Sequence, residues 1–221
     1  MTQKGVGSKL IQKEKRPLVE YMLRLMMATD TLRAAMRWQL ATQELRTVAG
    51  ECDRLIATIS AAGWSAEAIQ RIREGVRLNH VSKSDLRNEN AISAWNEFVE
   101  AVGDGLGKRL KRIRDKCAFH WDERIASQFL ENENWCLGVS LIESDKNGDF
   151  LATRYPWAQA AIAFDMLDCP PELTMPDARA VCESFVKDLL RAAPVVSGMA
   201  SDLVAAMICR AGLTVELRGP E

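Results

Sequence analysis

The residues best suited to chemistry in this chain lie in one heptapeptide, Arg114-Asp115-Lys116-Cys117-Ala118-Phe119-His120. The chain has only two histidines, and one of them closes this stretch. A planar guanidinium clamps phosphate oxygens through paired hydrogen bonds. An imidazole gives or takes a proton near neutral pH. Together they are a minimal set for work on a phosphodiester. Arg114 would hold the phosphate and stabilise developing charge, His120 would act as base toward a ribose 2′-hydroxyl, and Asp115 would orient either partner. Lys116 lies four residues before His120, and Arg112 four before Lys116. That cationic row adds phosphate-binding charge and favours the neutral, basic form of the imidazole.

These residues need a scaffold. The spacing predicts a helix over about 106–129, with Leu106, Leu110, Ile113, Cys117, Trp121 and Ile125 on one apolar stripe. On an unbroken helix Arg114 and His120 fall about 60° to either side of that stripe. Their tips do not stack. Either the arginine's reach closes that gap, or two antiparallel copies of the helix set the arginine of one chain near the histidine of the other, a composite site on a two-fold axis. The second arrangement makes a homodimer the expected assembly.

An arginine, an adjacent polar residue, a short spacer and a histidine resemble the Rx4-6H motif of HEPN domains, here as Arg114, Asp115 and His120. The resemblance implies an all-α bundle of four or five helices, often dimeric, with the motif on a late helix. It also implies a metal-independent endoribonuclease of toxin or phage-defence type, with RNA as substrate, an antitoxin-like protein as partner and no cofactor. The alternative is a non-catalytic helical interaction or regulatory protein in which Arg114 and His120 are structural. His120 then packs beside an apolar stripe and bonds Asp122 or a main-chain group, and the cations from Lys108 to Lys116 form a solvated face.

The remaining sequence predicts a mainly α protein, a multi-helix bundle with a small β-hairpin in its second half. Residues 1–16 read as a polar, basic tail, 17–130 as the bundle carrying the Arg/His motif, and 131–221 as the hairpin plus C-terminal helices on the same core. Pro17 opens a first helix to about Val48, with Leu18, Met22, Leu25, Met26, Thr29, Leu32, Met36, Leu40 and Leu45 facing inward. Its roughly 45 Å length fits a bundle spine or a partner-facing helix. Its methionines fit a core or a helix–helix interface. A second helix is expected over about 51–62, ended by Gly63, and a third after an N-cap at Ser65. Ser82 and Asp85 have capping-box spacing before a fourth, with Leu86, Ile92, Trp95, Phe98, Val99 and Val102.

Trp135–Ile142 and Phe150–Thr153 flank Asn147-Gly148, the turn pair of a two-stranded hairpin. Helices follow over about 157–167, from about Pro176 to a stop at Pro194, and over about 196–209 with Gly212 as terminator. Leu213–Leu217 reads as a short strand.

A net charge of −1 argues against a duplex-binding protein coated in positive charge, so any nucleic-acid surface must be local. The six cysteines form no CxxC pair, which removes zinc-site spacing and favours reduced thiols. No metal site is expected: Glu131 and Glu133 diverge, His80 stands apart, and Asp145–Asp149 lacks the ligand pattern of a calcium loop. No phosphate-binding loop, dinucleotide fingerprint or GxSxG is present. The N-terminus lacks an apolar leader core and no apolar run is expected to span a bilayer, so a cytoplasmic protein without membrane contact is expected.

Overall fold

In a computed structural model of the chain, the described residues are 15–43, 48–100, 105–115, 141–144, 150–154 and 175–213. They build a mainly α architecture. Helix α1 runs Arg16–Thr42, with Pro17 in its first turn, where a missing N–H costs nothing. Its inward row holds Val19, Met22, Leu25, Thr29, Leu32 and Ala35, and ends on Gln39 and Thr42. Leu40, expected inside, is exposed. Steps of three and four from Leu32 reach Gln39 instead. The Oε1 of that buried amide accepts from the Thr58 hydroxyl at 2.8 Å, while its Nε2 has no partner among the described residues.

Helix α2 spans Val48–Arg77 without interruption and runs through Gly63, the expected stop. Ser65 is no cap. It is fully buried, and its hydroxyl donates to the Ala61 carbonyl one turn back, at 2.8 Å. A glycine inside a helix costs about 1 kcal/mol relative to alanine, which packing can outweigh. Here it does, because α2 is the centre of the bundle and is built from small residues. Ala57, Ala61, Ala62, Ala66 and Ala68 are all buried. They let neighbouring helices approach it closely.

The chain leaves α2 through Asn79, at φ 54, and His80. The Asp85 carboxylate accepts the Ser82 N–H at 2.8 Å, but the capped element is only a 3-10 turn, Lys83–Asp85. The expected fourth helix begins later, at α3, Glu89–Trp95, where the Asn88 side chain accepts from the N–H groups of Asn90 and Ala91. It widens into a π-helical turn over Asn96–Glu100. Trp95, Phe98 and Val99 are buried, whereas Ile92 stands exposed.

Helix α4, Leu106–Ile113, carries the basic run and buries Leu110 and Ile113 against α2. Its continuation at Arg114 and Asp115 has π-helical geometry. Two extended segments, β1 (Leu141–Ser144) and β2 (Phe150–Arg154), pair antiparallel with Leu141 opposite Arg154 and a bulge after Glu143. The Asn147-Gly148 turn, the 157–167 helix and the strand after Leu213 lie outside the described residues.

Helix α5, Met175–Ala211, is one helix through Pro194. A proline inside a helix forfeits one backbone bond and costs about 3 kcal/mol. The continuous buried row on either side of it offsets that cost: Phe185, Leu189, Val196, Met199, Leu203 and Met207 all enter the core. Gly212, at φ +65, ends the helix as expected. The segment Ala180–Ala211 is long and apolar enough to cross a bilayer by length and composition. In this fold its apolar row lies against α1 and α2.

Candidate functional site

Arg114 and Asp115 are brought together. Arg114 Nε donates to Asp115 Oδ1 at 2.7 Å, and Nη2 reaches the same oxygen. The remaining terminal nitrogen, Nη1, faces Glu67 Oε2 of α2 at 3.9 Å. Helical placement explains the encounter. Leu110 and Ile113 seat α4 on α2, and Arg114 then emerges at the seam. Only 14% of its side chain is exposed.

Glu67 begins a chain of alternating charge along α2. Its Oε1 accepts from Arg71 Nε at 2.8 Å, and Arg71 Nη1 donates to Glu74 Oε2 at 2.9 Å. Glu74 Oε1 in turn lies 3.8 Å from Arg24 of α1. Burial disfavours the Arg71 charge, but the bonds and charges of Glu67 and Glu74 outweigh it and raise its pKa above the ordinary value. Arg24, Arg71 and Arg114 against Glu67, Glu74 and Asp115 make the cluster neutral in sum. It ties three helices together.

Tyr21 closes the cluster from below. Its hydroxyl donates to the Arg71 carbonyl at 2.7 Å, and its ring meets His80 with centroids 5.3 Å apart. Burial pushes the phenol pKa up, and the Glu74 charge pushes it further. Gly75 makes room, because a Cβ there would collide with the Tyr21 hydroxyl. His80 is thus a packed ring beside a helix end.

The arrangement has clear chemical consequences. A guanidinium flanked by two carboxylates must exchange one of them before it can clamp a phosphate, and both carboxylates repel an incoming anion. Of the expected site residues, Arg114 and Asp115 meet and Arg112 is half-buried on α4. His120 and Lys116 lie outside the described residues, as do the later stripe positions Cys117, Trp121 and Ile125. The exposed cations on α4 include Arg109 and Lys111.

Sequence reasoning missed Glu67, Arg71, Glu74, Arg24 and Tyr21. The Glu67–Arg71–Glu74 spacing of four and three is legible as a same-face ladder. What it cannot reveal is that α1 and α4 cap both ends of it. Among the described residues no three side chains of histidine, cysteine, aspartate or glutamate converge on a common metal-sized point. Cys182, half-buried, and Cys209, exposed, are not in disulfides.

An open groove of about 560 Å³ lies elsewhere, between α3 and α5, lined by Ser93, Glu97, Phe98, Leu106, Asp188 and Arg191 among others. It contains none of the heptapeptide. No family model, no curated protein and no solved structure matches this chain.

Proposed function

We propose that the chain is a HEPN-like RNA-acting protein of toxin or defence type, with Arg114 as phosphate ligand and His120 as base. The observation that carries this reading is the Arg114–Asp115 pair, formed at the end of a basic helix seated in an α-helical bundle. Asp115 occupies two nitrogens of the guanidinium and fixes its plane, which is the orienting role the motif asks of the polar residue. Lys116 and Arg112 add cationic charge along the same strand of RNA. The protein is cytoplasmic, needs no metal, works as a homodimer and is restrained by an antitoxin-like partner. The paired segments β1 and β2 are the two arms of a hairpin closed at Asn147-Gly148.

A second reading rests on Glu67. Arg114 is nearly enclosed and has a carboxylate on either side, which suits a structural pin between α2 and α4 in a non-catalytic interaction protein.

Incubation of purified protein with single-stranded RNA in EDTA separates the two. The RNA reading expects cleavage that is lost in both His120→Ala and Arg114→Ala, while Arg109→Ala folds and cuts normally. Intact RNA across pH 6–8, with Arg114→Ala merely lowering the melting temperature, would establish the structural reading. Mixing the two inactive variants then tests the composite arrangement. Activity returns in mixed dimers only if one chain supplies arginine and the other histidine.

A further inference from the structure

Helix α1 carries an outward face as well as an inward one. Leu23, Met27 and Trp38 are large, apolar and exposed, Met27 at 71%. Isolated exposed apolar residues are ordinary, but these three share a face with the exposed Asp30, Ala34 and Arg37. At 100° per residue, with Ala34 as zero, Met27 and Trp38 fall about 20° and 40° to one side. Asp30 and Arg37 fall about 40° and 60° to the other, with Leu23 near the middle. The face therefore has a small residue at its centre, an apolar edge and a charged edge. From Leu23 to Trp38 it extends about 22 Å at 1.5 Å per residue.

This arrangement complements itself. A two-fold axis through Ala34, perpendicular to the helix, lays a second α1 antiparallel to the first and keeps each edge on its own side. The alanine side chains meet at the axis and let the two backbones approach. Asp30 lies four residues before Ala34 and Arg37 three after it, so Asp30 comes level with the partner's Arg37 to within about 1.5 Å along the axis. The same holds in reverse, and two ion pairs form along the charged edge. On the apolar edge Trp38 comes within about one helical turn of the partner's Met27, in reach of a sulfur–aromatic contact. A parallel pairing would set the charged edge of one copy against the apolar edge of the other. Charge and apolarity thus select the antiparallel one.

Asp30 can serve this contact. Its approach from Arg33 is a 3.5 Å one, and Arg33 is otherwise engaged by the hydroxyls of Ser197 and Ser201, at 3.1 and 2.7 Å. We infer that the outward face of α1 is a self-pairing surface, and that a second copy of this chain docks on it antiparallel about Ala34. A single helix face is smaller than the roughly 800 Å² per partner of a standard stable interface. The dimer is accordingly reversible and forms with rising concentration. This pairing neither requires nor supplies the composite Arg114/His120 site: α4, which leads into Arg114, packs on α2, and a dimer joined instead at the motif helices would be indifferent to Met27→Lys.

Sedimentation velocity of the full chain over a concentration series tests it. Wild type is expected to pass from monomer to dimer. Met27→Lys should weaken the dimer by about ten-fold or more, and so should Ala34→Glu, which sets two carboxylates against each other at the axis. Asp30→Arg and Arg37→Asp should each weaken it. The double variant should regain wild-type association, since exchanging both charges preserves the pairing. These positions are exposed, and unchanged circular dichroism melts would verify that the variants fold. A protein that stays monomeric throughout overturns the inference. So does a dimer indifferent to Met27→Lys and Ala34→Glu, or single charge changes that the double variant does not rescue.

Discussion

Tyr21 shows how one side chain in this protein is held by its surroundings. It is 1% exposed, its hydroxyl is bonded to the Arg71 carbonyl, and its ring rests on the bare backbone of Gly75. Tyr21→Phe removes that bond and should cost about 1 kcal/mol near neutral pH, read from urea denaturation midpoints. The pH dependence is specific. Burial, then Glu74, raise the folded pKa above the ordinary 10.0, so the unfolded chain ionises first. The stabilisation is therefore complete below the unfolded value and lost as pH rises toward the folded one. Wild type should keep its advantage over Tyr21→Phe up to about pH 9 and lose it progressively above about pH 10. A constant difference through that range would show that the phenol ionises as freely folded as unfolded. Arg114 and Asp115, by comparison, were legible in the sequence as a pair because they adjoin. Glu67 was not, because α2 and α4 meet only when the chain folds.

Among the helices, local signals placed several ends correctly and misplaced several interiors. Pro17 and Gly212 mark the ends of α1 and α5 because proline and glycine act through the backbone alone. Gly63 and Pro194 were read by the same rule as stops, and the helices run through them. A terminus has no packing beyond it to oppose the local preference. An interior position has buried residues on both sides, as Ala62 and Ile69 flank Gly63, and Phe185 and Met199 flank Pro194. The burial of such side chains, at about 1.5–3 kcal/mol for a large one, exceeds the penalty of a single breaker. Pro194→Ala should consequently stabilise the protein, by about 1–3 kcal/mol, because Pro194 is exposed and its replacement restores a backbone bond. A higher midpoint in urea would bear this out. A lower one would mean that the bend at Pro194 is needed for α5 to follow the core.

Among the described residues, polar bonds tie distant segments together over a continuous apolar core. The Asp202 carboxylate of α5 accepts from the main-chain N–H groups of Arg87 and Asn88, at 2.8 and 2.9 Å. Those two residues lead into α3, far earlier in the chain. Asp202→Ala should cost about 1 kcal/mol in global stability. Its larger effect should be local, as faster amide hydrogen exchange at residues 87–91 with the α2 core amides unchanged. Uniformly faster exchange would instead make the bond a global support. Arg210, lying 2.5 Å from Asp85 and donating to the His80 carbonyl at 2.7 Å, ties the same stretch to the end of α5.

Residue period and adjacency specify a mainly helical chain, the start of α1 at Pro17, the inward placement of Leu110 and Ile113, and Asp115 as the neighbour of Arg114. Those properties are local, so they can be read from the order of residues. Long-range packing settles that α2 and α5 are single helices, that Gln39 rather than Leu40 turns inward, and that Arg114 ends an ion-pair chain reaching Arg24. Each of these depends on what another segment presents across the core. A guanidinium acquires its character from the carboxylates that surround it, and those of Arg114 come from two separate segments of the chain.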